Sequence, residues 1–442
     1  MINASDLEGH NPVTIHGQGL VALEEVELRP RSFDQRSQGV TAASRPSPGK
    51  LAQPTGALVV GGDYRALGIV RSLGRRGIPV WVVQDDHRLA TFSKYNQKTL
   101  NLPKSGDEAQ IRYLMDLGER HNLDGWMLFP TADTTVSLLA QHRDTLARVY
   151  EVTTPAWESL SWAHDKRLTH RFADAAGVCT ARTLYPSGRE QLESLDVDFP
   201  VILKPAVKLG ADPFTKAKAW QANSPAELLA LYDKAVKWVS PDVIMVQEVI
   251  PGGGDAQYSY AALCDEGLSL AGLTAKRMRQ YPIDYGRFST YVQTVDQPEV
   301  EFAAKQLLSA ARYSGLVEVE FKYDYRDCRY KLFDVNPRVW GWHTLGVRAG
   351  LDFPYLLWLL MRGEPLPELP PCRPGLSWSY FAPDMLAAAS QLRAGKLSLS
   401  GYFKSLAGRR ESAILALDDP YPYAAAGLAH ADCHVFGRLL KE

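Results

Sequence analysis

The stretch that most constrains this chain runs from Gly315 to Arg338, GLVEVEFKYDYRDCRYKLFDVNPR. Val317, Val319 and Phe321 alternate with Glu318 and Glu320. A period of two sends the apolar set to one face of a strand and both carboxylates to the other. Lys331 to Asn336 alternates again, predicting Phe333 and Val335 on one face and Leu332, Asp334 and Asn336 on the other. The polar run Tyr325 to Arg329 between them suits a hairpin loop. With the turn centred near Asp327, Glu320 lies opposite Asp334 and Glu318 opposite Asn336, and Arg338 follows directly. Carboxylates crowded in this way repel unless a cation sits between them. A hard divalent ion held by carboxylate and amide oxygens, typically Mg²⁺ carrying nucleotide phosphates, resolves the conflict. The same alternation also describes a plain solvated acidic face, so the rest of the chain must decide.

At 442 residues the chain is too long for one ordinary core, and roughly two to four domains are expected. Lys and Arg total 49 against 50 Asp and Glu, a formal net charge of −1. That balance gives no support for a nucleic-acid or anionic-membrane partner. The 5 cysteines are scattered, with no C-x-x-C pair, so neither a zinc site nor a disulfide framework is indicated and a reducing, cytoplasmic setting is expected. The apolar run Phe353 to Met361 is too short for a bilayer, which needs about 20 residues. No basic segment followed by an apolar one marks a secretory leader at the N-terminus.

Taken in order, residues 1–54 read as a disordered tail. They have few apolar clusters and end in the Ser/Pro/Gly-rich TAASRPSPGK, which cannot offset its ordering entropy by burial; a short targeting or partner-binding arm is the alternative. Residues 55–154 read as a doubly wound α/β domain. Ala57 to Val60 is a buried-type strand, Ala66 to Arg76 a helix, Val80 to Val83 a second strand, and further helices (Ile111 to His121, Thr134 to Ala147) and strands (Trp126 to Phe129, Val149 to Thr153) follow. GGDYRALG only loosely resembles a dinucleotide fingerprint, with Asp85 near the place of a ribose-binding acid. Either that, or a scaffold whose strand ends touch a small substrate, fits the pattern. Asp133 is read first as a helix cap, and its position at a strand end also makes it a candidate substrate contact.

Beyond residue 154 the pattern changes. A helix from Ser161 to Ala176 carries Asp165-Lys166-Arg167, and FPVILK is a buried strand ending in Lys204, where a point cation can meet phosphate oxygens or merely snorkel to solvent. Lys208 to Asp212 is a short loop, Pro225 to Val239 an amphipathic helix, and Val243 to Ile250 a strand followed by Pro251-Gly252-Gly253-Gly254. Such a strand end can offer main-chain groups to a flat base edge while apolar side chains sandwich the ring. A hairpin from Tyr258 to Ala275 leads into AKRMRQYP. Alternation predicts Arg277 and Arg279 on one face and Lys276 on the other, before a loop from Pro282 to Phe288 and a helix from Glu299 to Ser314.

The order of these parts, an early DK, then PVILKP, QEVIPGG, a basic strand and VEVEF…DVNPR, resembles the ATP-grasp superfamily, and in its KPA…VQE.IPGGG…VEVEFK…NPRVWGWH strings the ATP-grasp carboxylate–amine ligases. The resemblance implies a mixed α/β and α+β multidomain fold: a pre-ATP-grasp domain at 55–154, an ATP-grasp domain at 155–370 and a C-terminal extension at 371–442, read as mostly helical. It further implies that Lys166, Lys204 and Lys208 meet the nucleotide phosphates, and that Gln247, Glu248, Val249 and Ile250 form the hinge that reads adenine. Asp255, with Gln257 competing, would be the ribose acid. Glu320, Asp334 and Asn336 would hold Mg²⁺, with Mn²⁺ as a substitute. Arg338 would stabilise the transferring phosphoryl group, and Lys276, with Arg277 or Arg279, would face the γ-phosphate. The loop KPAVKLGADPF lacks the glycine-rich character of many relatives, which leaves the roles of Lys208 and Gly210 open, and Asp334 stands where a glutamate is more usual.

The activity implied is ATP- and Mg-dependent joining of a small-molecule carboxylate to an amine through an acyl phosphate. The rivals are a carboxylase or kinase-like enzyme, a nucleotide-binding regulator without turnover, and an NAD-dependent enzyme using GGDYRALG. His343 is expected to be structural or to line the substrate site rather than to act as a base, and Trp340 and Trp342 to be pocket wall or core. The extension could pack on the core, cover the site or build a homodimer contact.

Overall fold

The computed structural model describes residues 55–431, apart from 208–211, 218, 284–285, 287 and 409 and the side chains of 428–431. The expected tail at 1–54 and the expected contacts of Lys208 and Gly210 lie outside the described residues. Among the described residues, no helix is long and apolar enough to cross a membrane.

The first part of the chain forms a parallel sheet of β1 (Ala57–Val60), β2 (Val80–Gln84), β3 (Asn96–Asn101), β4 (Met127–Pro130) and β5 (Glu151–Val152), in the order β3-β2-β1-β4-β5. Every residue of β1 is buried, as expected for a central strand covered on both faces. β1 pairs in parallel with both β2 and β4. The strand order therefore reverses at the β1/β4 boundary, and the crevice outside the carboxyl ends of these strands is where open α/β sheets place ligands. Asp63 and Asp133 sit at those two strand ends. Asp63 caps the Tyr64–Gly74 helix, accepting from the amides of Arg65 (2.9 Å) and Ala66 (3.2 Å). Its carboxylate thus fills the helix N-terminus that a dinucleotide pyrophosphate would need, which removes the support for the NAD reading.

Sequence reasoning missed β3, an edge strand of polar sequence NQKTLN with no apolar alternation. The single helix expected from Thr134 to Ala147 is two, Asp133–Gln141 and Arg143–Leu146, broken at His142.

A second, antiparallel sheet of β6 (Thr183–Leu184), β7 (Val201–Pro205), β8 (Trp220–Ala222) and β9 (Ile244–Glu248) has the order β6-β9-β7-β8. The Pro225–Ala235 helix covers it, burying Leu228 and Tyr232 with Leu203, Phe214 and Val246.

The third sheet has seven strands: β10 (Gln257–Asp265), β11 (Leu268–Tyr281), β12 (Phe288–Thr294), β13 (Gly315–Asp324), β14 (Arg329–Asn336), β15 (Ser377–Ser379) and β16 (Arg410–Ser412). Their order is β14-β13-β10-β11-β12-β15-β16. Val317, Val319 and Phe321 bury one face with Val300, Ala304 and Leu307 of the Pro298–Ala310 helix. Ala261, Leu273 and Val292 share a core with Trp340, Phe353 and Leu67, so the large sheet and the first sheet are joined by one continuous apolar interior.

The C-terminal segment, expected to be mostly helical, does form the helices Phe381–Arg393 and Leu399–Leu406. It also adds β15 and β16 to the edge of the large sheet, a correction to the sequence reading. These strands are three residues each, too short to show a period. Trp378 of β15 is fully buried. Further on, Asp419 accepts from Arg71 (2.9 Å), Ser93 (2.7 Å) and the Lys94 amide (2.9 Å). Asp418 takes both guanidinium arms of Arg75 at 2.8 Å. The last described helix, Tyr421–Ala431, begins just beyond this acidic pair.

Candidate active site

The expected cross-strand pairs are present: Glu318 lies opposite Asn336 and Glu320 opposite Asp334. One detail differs. The register slips between Glu320 and Phe321, so that Phe321 pairs with Leu332 and Phe333 is the extra residue of a bulge. Leu332 and Val335 consequently lie in the core, whereas Phe333 turns to the cleft beside Asp334. The alternation expected for β14, with Phe333 and Val335 on one face, is corrected accordingly.

The acidic face of β13 forms a wall of a cleft of ≈ 1160 Å³ that runs between the three sheets. Glu318 and Glu320 are buried, and Asn336 donates from its amide nitrogen to both, at 3.1 and 3.2 Å. Glu318 also accepts from the Trp342 indole N–H at 2.8 Å. Burial, then the neighbouring Glu320 charge, pushes the Glu318 carboxyl up to about 8, against the pull of Arg277 and Arg338. Arg277 meets Glu320 at 3.1 Å, and Lys166 meets Asp334 at 2.5 Å.

Among the described residues no three acidic, histidine or cysteine side chains converge on one point, because each acid of the pair is turned onto a cation. The donor set itself, two carboxylates and an amide carbonyl, is that of a hard divalent ion. To take part, Glu320 would release Arg277 and the Asn336 amide nitrogen, and Asp334 would release Lys166. The Asn336 side-chain oxygen now accepts from Arg338 at 3.1 Å, and the amide would have to turn over to serve as an oxygen ligand.

The opposite wall comes from the four-stranded sheet. Lys204, at the end of β7, is buried, with its ammonium 5.7 Å from the Phe333 ring centre. Lys166 is held at its helix start, where its amide donates to Ala206 O at 2.9 Å. Gln247, Glu248, Val249 and Ile250 all line the cleft with Ile202. The Glu248 carboxylate is committed to the Arg182 amide, Arg326 and Lys331, at 2.9 to 3.0 Å. The Glu248 amide donates to Arg182 O. Both the carboxylate and the amide of Glu248 are therefore engaged within the protein.

Three expected site residues lie elsewhere. Lys276 pairs with Tyr258 across β10–β11 and holds its ammonium 5.1 Å from that ring, on the face covered by the Pro298–Ala310 helix. Arg279 is buried, with both arms on Asp384 at 2.7 and 2.8 Å and its guanidinium over the Tyr291 ring. The physical reason is a bulge: the register slips between Arg277 and Arg279, so Arg277 pairs with Val292 but Arg279 with Tyr291. Only Arg277 of the three bases reaches the cleft. Asp255 stands exposed on a short 3₁₀ turn, while its competitor Gln257 lines the wall.

Sequence reasoning passed over Lys322, which lines the cleft and donates to Ile250 O at 2.7 Å. The period that placed Glu318 and Glu320 on one face places Lys322 there too, so the signal was present.

The far end of the cleft is the crevice of the first sheet. Arg338 donates to Asp133 at 2.5 Å, linking the hairpin to the end of β4. Asp63, Tyr64, Arg65, His87 and Arg88 line the same end. His343 is not in it: the ring is fully buried beside Gly68, its Nδ1 3.0 Å from Trp340 O, and burial lowers it to about 4. Trp340 is core, stacked edge-on against Phe353, and Trp342 is wall.

No family model and no curated protein matches the sequence. Solved structures do match in fold. The biotin carboxylase domain of 2-oxoglutarate carboxylase from Hydrogenobacter thermophilus, a dimer solved with MgADP, ADP and bicarbonate, superposes with a TM-score of 0.58 at 15% identity, covering 74% of each chain. N5-carboxyaminoimidazole ribonucleotide synthetase from Thermus thermophilus gives 0.54 at 15% identity, over 73% of this chain and 81% of that one. L-amino acid ligase from Bacillus licheniformis gives 0.52 at 14% identity, over 70% and 74%. The fold is that of ATP-grasp enzymes: a parallel N-terminal sheet followed by the antiparallel sheets that clasp the cleft. Similarity at this level of identity defines the architecture; the chemistry has to be argued from the site.

Proposed function

We propose that the protein is an ATP-dependent ligase that joins a carboxylate to an amine through an acyl phosphate. The observation that carries this reading is the Arg338–Asp133 bridge. It joins a phosphate- and metal-type wall (Lys166, Lys204, Glu320, Asp334, Asn336) to the ligand crevice of the first sheet within one cleft. A nucleotide alone needs only the first half. The second half carries both signs of charge, Arg65, Arg88 and Arg338 with Asp63 and Asp133, which suits a carboxylate and an amine side by side.

Lys166 and Lys204 neutralise the phosphates, and Ile202 and Phe333 flank the base. A substrate carboxylate oxygen attacks the γ-phosphorus, ADP leaves, and Arg338 balances charge on the transferring group. The amine nitrogen then attacks the acyl carbon, phosphate leaves, and the amine proton passes to solvent. Mg²⁺ bound with ATP supplies charge neutralisation at the phosphate oxygens. Glu320, Asp334 and Asn336 would hold it, and Mn²⁺ suits the same donors. Holding both reactants in one cleft makes attack effectively unimolecular.

The test is ADP release from MgATP across paired carboxylates and amines. Release that needs both partners is expected. Release with bicarbonate alone would favour a carboxylase, release with a carboxylate but no amine a kinase-like enzyme, and ATP binding without ADP a regulator. Glu320→Gln is expected to lower kcat by about 10²-fold or more with the fold, read by circular dichroism, retained.

A further inference from the structure

The C-terminal segment places a set of rings at the crevice end of the cleft that the reading above does not use. Tyr380 immediately follows β15 and stands 4.9 Å, centre to centre, from Tyr64 and 6.2 Å from Phe288. All three line the cleft and are partly exposed. Tyr64 and Tyr380 pack on the core that holds the fully buried Trp378, but unlike Trp378 they keep part of their surface in the cleft.

Tyr380 is fixed in place. Its amide donates to Thr290 O at 2.9 Å, and its carbonyl accepts from the Asp384 amide at 2.9 Å. Asp384 is in turn pinned by Arg279 and by the Thr290 hydroxyl. The buried ion pair that takes Arg279 away from the cleft therefore sets the position of this ring. Arg88, which lines the same cleft, belongs to the loop whose Ala90 amide donates to Gly62 O, next to the start of the Tyr64 helix. Arg88 is exposed and, among the described residues, has no ion-pair partner. The crevice end thus combines a cluster of three mutually tilted aromatic rings with a cation that has no ion-pair partner among the described residues.

We propose that this cluster selects the substrate: the carboxylate partner carries an aromatic ring that lies against Tyr380, Tyr64 and Phe288, and Tyr380 is the specificity-determining residue. Arg88 draws the anion toward this end. The inference rests on the ATP-ligase reading, since it names the substrate class of that same cleft. Ring-on-ring contact adds to plain burial and makes selection for a flat body physically reasonable.

The experiment is titration calorimetry on the full chain, first with AMP-PNP and Mg²⁺, then with L-phenylalanine, L-leucine, L-alanine or L-glutamate added to that complex. L-phenylalanine is expected to bind most tightly. Tyr380→Ala should weaken it about tenfold, leave AMP-PNP binding unchanged and leave the aliphatic amino acids nearly unaffected, while Tyr380→Phe keeps the wild-type preference. Should Tyr380→Ala fail to fold, Phe288→Leu carries the same expectation. AMP-PNP binding with no preference for the aromatic ligand, or a preference that survives removal of the ring, overturns this inference alone. Absence of AMP-PNP binding overturns the ATP reading and this inference with it.

Discussion

The large sheet contains two charged strands that look alike in sequence and behave differently. β13 carries its acids at Glu318 and Glu320, and its pairing with β10 runs without a break from Gly315 to Lys322. Both carboxylates therefore reach the cleft, as alternation requires. β11 carries its bases at Lys276, Arg277 and Arg279, but its pairing with β12 slips twice. Arg277 reaches the cleft, and Arg279 is rotated into the C-terminal segment. Alternation assigns faces only over the length for which pairing is uninterrupted, and one extra residue reverses everything beyond it.

The sharpest way to break this comparison is to remove the two arginines separately. Arg279 and Asp384 have side-chain exposures of 4% and 1%. Arg279→Ala leaves a buried carboxylate without its partner and is expected to cost about 3–5 kcal/mol of unfolding free energy, read by denaturant titration. Arg277→Ala is expected to spare most of that stability and lower kcat about 100-fold, the loss typical of removing one charge-stabilising donor. Lys276→Ala, on the covered face, should change turnover little. If Arg279→Ala lost turnover at full stability, the two strands would have to be read as one basic surface after all.

The same contrast explains what was legible beforehand. The cross-strand pairs of the hairpin and the buried strand carrying Lys204 follow from local alternation, whereas Lys166, which opens a helix, the Gln247–Ile250 segment and Arg338 were singled out by the order of motifs along the chain. The bulges at Phe333 and between Arg277 and Arg279 could not, since an extra residue leaves no mark in composition. β15 and β16 were missed because three residues show no period, and their pairing partners are set by contacts across the chain: Tyr291 pairs with Ser379. The rings at Tyr64, Phe288 and Tyr380 come together only through that long-range pairing, so no window of sequence contains them.

A smaller effect sharpens the reading of the wall facing the hairpin. Lys204 ends β7, where its partner across the strand is Met245, and it is buried at the cleft. Lys204→Ala is expected to weaken ATP binding by more than tenfold, about 1.4 kcal/mol. An unchanged dissociation constant would reduce this lysine to a packing role and leave Lys166 as the phosphate cation of that wall.

The smallest expected effect contrasts two adjacent acids of the C-terminal strap. Asp419 is fully buried on Arg71, whereas the Asp418 side chain is 43% exposed on Arg75. Hydrogen bonds from Arg75 and Tyr95 hold the Asp418 carboxyl well below its ordinary value of 3.8, against the opposing effect of burial. A carboxylate held low in the folded state binds fewer protons there than in the unfolded chain between the two values. Its contribution is complete above about pH 4 to 5 and is lost as pH falls toward the folded value. Exposure and solvent screening limit that contribution to about 1 kcal/mol or less. Asp418→Asn should therefore lower Tm slightly at pH 7, and the gap from wild type should close as the pH is taken below 4. A gap that stayed constant through acid would mean that the strap is held by Asp419 and its backbone contacts, with the outer ion pair contributing nothing that titrates.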